Sequence, residues 1–92
     1  MKILNISGNN IGLSGLQTLL YGLNNLPKLE SLDISYNEIG YDGGYGANLI
    51  SFAFRAGKLP NLKILNISGN NIGYRVLKQL LSPQVKLINK TI

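Results

Sequence analysis

The stretch from Lys2 to Gly12, KILNISGNNIG, occurs twice in this chain: a second copy runs unchanged from Lys63 to Gly73. A divergent copy, ESLDISYNEIG, lies between them from Glu30 to Gly40. A unit this short cannot bury an apolar face alone. Three of them in 92 residues must stack and share one continuous core.

In register, Leu4, Leu32 and Leu65 align, as do Ile6/Ile34/Ile67, Asn9/Asn37/Asn70 and Ile11/Ile39/Ile72. Apolar and polar residues alternate in Leu32-Asp33-Ile34, the period of a strand, so the aligned Leu and Ile point to the core and their neighbours to the other face of a parallel sheet. Leu16, Leu19, Leu20 and Leu23 then recur at helical spacing, with Ser14 and Gln17 as a capping box. In the middle unit the stripe counted back from the next strand is Leu49, Phe52, Ala53 and Ala56. In the last unit it is Val76, Leu77, Leu80 and Leu81. The period from Leu4 to Leu32 is 28 residues and from Leu32 to Leu65 is 33; the spacing places the insertion in the glycine- and tyrosine-rich segment Tyr41 to Gly46.

The pattern L-x-x-L-x-L-x-x-N-x-L resembles the leucine-rich repeat family. The spacing N-x-I-x-x-x-G-x-x-x-L-x-x-x-L from Asn9 to Leu23 is similar to its ribonuclease-inhibitor-like subtype. The resemblance implies an α/β solenoid with a curved parallel sheet of about four strands on the concave side and helices on the convex side. It divides the chain into repeats 1–28, 29–61 and 62–84 and a terminal strand within 85–92, with Lys90 in the place of Ile34. It also implies that Asn9, Asn37 and Asn70 form an asparagine ladder, each amide bonding the backbone of its own turn and an adjacent one. The function it implies is protein–protein recognition. Alternatives are a fragment of a larger repeat protein, of GTPase-activating or receptor type and without activity of its own, or a basic surface that contacts nucleic acid.

Composition narrows the chemistry. There is no cysteine and no histidine, which removes disulfides, thiolate metal sites and the usual general base. No serine has a recognisable base partner, Tyr41 to Gly46 lacks the phosphate-loop spacing, and Glu38 with Asp42 is too little for a cation site, so neither an enzyme nor a cofactor is expected. The net charge is +5, but the nine bases are dispersed, which disfavours a nucleic-acid footprint. Apolar runs are too short to span a membrane, and Lys2 begins an alternating pattern instead of a signal peptide, which points to the cytoplasm. On that ground Asn5-Ile6-Ser7, Asn66-Ile67-Ser68 and Asn89-Lys90-Thr91 are not read as glycosylation acceptors, and the first two belong to the strand pattern.

The candidate binding surface is the concave face. Stacked strands should give ladders Lys2/Glu30/Lys63/Lys86, Ile3/Ser31/Ile64/Leu87, Asn5/Asp33/Asn66/Asn89 and Ser7/Ser35/Ser68/Thr91. Glu30, set between lysines, should form exposed ion pairs, whereas Asp33 lies between neutral Asn5 and Asn66. Tyr36 stands between Gly8 and Gly69 with room to meet a partner. The residues expected to contact one are Asp33, Ser35, Tyr36, Glu38, Tyr41, Asp42 and Tyr45, all from the middle unit. The first strand has no polar cap, so its open edge is a candidate for self-association.

Overall fold

The computed structural model describes residues 1–22, 27–39, 45–72 and 84–90. Each of the first two units supplies a three-residue strand and an eleven-residue helix: β1 (Ile3–Asn5) with α1 (Gly12–Gly22), and β2 (Ser31–Asp33) with α2 (Tyr45–Arg55). Strands β3 (Ile64–Asn66) and β4 (Lys86–Ile88) complete the sheet. All neighbours are parallel and the order is β1-β2-β3-β4, so consecutive units lie side by side. Leu4, Leu32, Leu65 and Leu87 stand in one row across the sheet. This is the expected α/β leucine-rich repeat solenoid. Among the described residues no helix is long and apolar enough to cross a membrane. The expected last helix (Val76, Leu77, Leu80, Leu81), the helix end at Leu23 to Leu26, and Tyr41, Asp42 and Thr91 lie outside the described residues.

The core is the inward row of the sheet closed by the helices. Leu32, Ile34, Leu65 and Ile67 from the strands, Ile39 and Ile72 from the turns, Leu16 and Leu20 from α1, and Ala47, Ile50 and Ala53 from α2 are all buried. Burial falls off toward both ends: Leu4, Ile6, Val85 and Leu87 are only partly covered, because each of those strands has one neighbour.

The structure corrects three expectations. First, α2 turns a different face to the core. Its buried residues are Gly46, Ala47, Ile50, Ser51 and Ala53, while Phe52 is 61% exposed and Ala56 is exposed. A close approach sets the face. A Cβ at Gly15 would lie 2.6 Å from Ile11 Cβ, and one at Gly46 would lie 2.8 Å from Ile39 Cγ2, so each glycine seats its helix against the isoleucine of its own turn. Gly15 and Gly46 are thus the equivalent positions. The glycine follows the ladder asparagine by six residues in the first unit and by nine in the second, so three of the five inserted residues precede Gly46 and the other two lie between Gly46 and β3. Tyr45 and Gly46 belong to the helix, not to an inserted loop. After Arg55 the helix stops at Gly57 (φ +72°), where the Lys58 N–H bonds the Ala53 carbonyl at 3.0 Å and the Gly57 N–H bonds the Phe54 carbonyl at 3.1 Å, the Schellman pattern.

Second, α1 begins at Gly12, two residues ahead of the Ser14–Gln17 capping box. The Gly15 N–H already reaches the Ile11 carbonyl at 3.0 Å. Ser14 lies inside the first turn, where its carbonyl accepts from the Thr18 hydroxyl.

Third, β4 is one residue out of the expected register. Lys86 pairs with Ile64, Leu87 with Leu65 and Ile88 with Asn66. A slip of one residue exchanges the two faces of a strand. Here it turns Val85 and Leu87 to the core, and it puts Lys86 in the Ile3/Ser31/Ile64 row and Ile88 in the Asn5/Asp33/Asn66 row. Both registers offer apolar residues to the core. The observed one covers Leu65 and Ile67, which are 1% and 0% exposed. Lys90 consequently does not occupy the place of Ile34; its N–H bonds the Ser68 hydroxyl at 2.7 Å.

Candidate functional site

Beyond β1, β2 and β3 the chain makes the same tight turn, and asparagines hold these turns together. The Asn37 side chain is fully buried. Its Oδ1 accepts from the N–H groups of Asn9 (2.7 Å) and Ile11 (3.4 Å), and its Nδ2 donates to the carbonyls of Ile6, Ile34 and Ser35 at 3.0–3.1 Å. Asn70 repeats the arrangement one unit on, accepting from Asn37 and Ile39 and donating to Ile34, Ile67 and Ser68. Each amide therefore satisfies backbone groups of two adjacent turns that would otherwise be buried without partners. Asn9 is exposed and reaches only the Ile6 and Ser7 carbonyls of its own turn; no described residue donates to its Oδ1.

Asp33 serves the same local geometry as its row neighbours. Its Oδ1 accepts from the Ser35 N–H at 2.9 Å, as Asn5 Oδ1 does from Ser7 and Asn66 Oδ1 from Ser68. The three N/D-x-S triplets are thus Asx turns that end the strands. The Ser35 hydroxyl is also given to Asp33, at 2.6 Å, and Ser35 is buried, so its side chain supports the rim from below instead of projecting from it. Glu30 sits between Lys2 (3.8 Å) and Lys63 (3.2 Å), with both lysines well exposed. Such pairs contribute about 0–1 kcal/mol.

The rim residues that do project are Tyr36, Glu38 and Tyr45. Tyr36 is 44% exposed and Tyr45, at the start of α2, is 62% exposed; Glu38 is exposed and has no hydrogen bond or ion pair to a described residue. Tyr36 does not stand symmetrically between its two glycines. A Cβ built on Gly69 would fall within the ring, whereas one on Gly8 would meet nothing within 4 Å. The ring therefore lies on the bare backbone of Gly69 and leaves the Gly8 side open.

The sequence reading missed the conformation of these turns. The residues flanking the ladder asparagine are left-handed in all three units: Gly8, Tyr36 and Gly69 before it (φ +70°, +55° and +69°), and Asn10, Glu38 and Asn71 after it (φ +54°, +58° and +52°). The outer units use the residue types that tolerate this region, and the middle unit does not. The signal was present in the flanking copies, which both carry Gly and Asn there.

No curated protein is similar enough to count as a match. A family model described as Leucine Rich repeat matches residues 1–20, 25–46 and 58–75. The matched segments span each of the three strand-and-turn units, cover more than half of the chain, and agree with the parallel sheet. The chain belongs to the leucine-rich repeat family.

Proposed function

We propose that the chain binds a protein partner through the concave face of its sheet and the adjoining turns, with the middle unit supplying specificity. Members of this family generally act as protein-interaction scaffolds, and the eleven-residue helices after β1 and β2 favour the ribonuclease-inhibitor-like subtype. The carrying observation is Tyr36: a large aromatic side chain, partly exposed, at a turn position where both other units have glycine. Tyrosine is enriched in binding hot spots. Glu38 and Tyr45 extend this surface, Asp33 and Ser35 hold its edge, and Tyr41 and Asp42 follow in the same segment. The asparagines Asn9, Asn37 and Asn70 are assigned to the frame. Tyr36→Gly should abolish retention of a protein partner by the immobilised chain while leaving the urea unfolding midpoint unchanged or raised. A midpoint that falls together with binding would sink this reading.

A second reading is favoured by the edge of β1. Ile3 is 71% exposed, Leu4 and Ile6 are half-covered, and the Asn9 acceptor is left over at the end of the ladder. We assign this edge to a second copy of the chain, which would extend the sheet and cover the half-open core. The expected result is a concentration-dependent mass in solution that Ile3→Lys reduces to the monomer; a monomer at all concentrations overturns it.

A further inference from the structure

Two facts about the middle turn stand together. It holds Tyr36 and Glu38 in left-handed backbone where the same turn in both neighbouring units has Gly and Asn. Those two side chains flank the buried Asn37 and are exposed. A left-handed residue other than Gly or Asn is disfavoured, because its Cβ crowds the following carbonyl oxygen. The sequence contains the relaxed alternative twice, in its own flanking repeats, so nothing about the fold requires the strained pair.

The chemistry of the pair indicates what it is for. Of the acidic residues in the described chain, Glu30 is neutralised by two lysines and Asp33 is occupied by Ser35. Glu38 is the remaining carboxylate there; it is exposed and has no partner among the described residues. Two residues before it in the same turn, the Tyr36 ring rests on Gly69 and leaves room on the Gly8 side. An aromatic face attracts a cation that lies within about 6 Å of its centre, and a carboxylate nearby adds a charge-assisted hydrogen bond. The chain's +5 charge comes from dispersed bases, and fields beyond about 8 Å are screened at physiological salt, so contact chemistry decides here. Resting on the reading of this turn as a protein-binding site, we infer that Tyr36 and Glu38 together receive a cationic side chain of the partner, arginine above all, whose planar guanidinium stacks on a ring and pairs with a carboxylate in one pose.

The test uses the full chain, isotopically labelled, titrated with three blocked Gly-Gly-X-Gly-Gly peptides in which X is arginine, its neutral isostere citrulline, or aspartate. The arginine peptide should shift the amide resonances of residues 35–39 and Gly69. Citrulline and aspartate should bind about tenfold more weakly or not at all. The variant Tyr36→Gly/Glu38→Asn, which restores the residues of the flanking turns, should unfold at equal or higher urea and lose the arginine response. Shifts at this turn that are equal for arginine and citrulline, or that prefer aspartate, overturn the cation assignment and leave the turn as a binding site. Shifts that survive the double variant, or no shift at the turn with any peptide, overturn both.

Discussion

Asn37→Ala should remove about 3 kcal/mol or more of folding stability, a large share of the total. Each buried polar group left without a partner costs roughly 1–3 kcal/mol, and domains of this kind are held by only about 5–15 kcal/mol in total. The alanine removes the acceptor of the Asn9 and Ile11 N–H groups and takes a donor from the carbonyls of Ile6, Ile34 and Ser35. The damage falls on two turns at once, because the amide joins them. Asn70→Ala should behave alike, since its bonds repeat the pattern. Asn9→Ala should cost under about 1 kcal/mol: the side chain is exposed, and water can replace it at the Ile6 and Ser7 carbonyls. Urea midpoints of the three variants give the ranking directly. Equal losses at positions 9 and 37 would mean that the amide matters only within its own turn.

The second large effect lies in the sheet row. Leu32→Ala should cost about 2–5 kcal/mol, the range for truncating a buried leucine where the surroundings cannot close. Leu32 is 1% exposed and stands between Leu4 and Leu65, with α1 and α2 packed beneath. Leu65→Ala should match it. Leu4→Ala should cost less than half as much, because one side of Leu4 is already open to solvent. Chemical denaturation with a common slope tests the gradient. A flat profile across Leu4, Leu32 and Leu65 would show that burial is not what graduates these contacts.

Some of this was legible because repetition amplifies weak signals. A single Leu-x-Ile run is ambiguous, but three in register identify the inward row, and the recurring Asn marks a turn. The register of β4 was not legible, because Val85, Leu87 and Ile88 offer apolar residues at both parities and only the fit over Leu65 and Ile67 separates them. The face of α2 was misread for a related reason. Counting back from the next strand assumed that the whole insertion lay ahead of the glycine that meets the turn, while the contact of Gly46 with Ile39 leaves two of its five residues after that glycine. Ser35 looked like a surface residue on alternation alone, yet the Asx turn draws it inward to Asp33.

At the candidate site the division is sharper. Residue identities alone mark Tyr36 and Glu38 as departures from the copies on either side. Only the backbone shows that both occupy left-handed positions, that Asp33 is engaged by Ser35, and that the Tyr36 ring leans on Gly69 and away from Gly8. By itself, then, the sequence determined the unit, its parallel stacking and the inward row, because these follow from periodicity, which is local and repeated. The register at the open end, the helix face and the direction of each rim side chain were decided by tertiary packing, because each depends on how two surfaces far apart in the chain fit together.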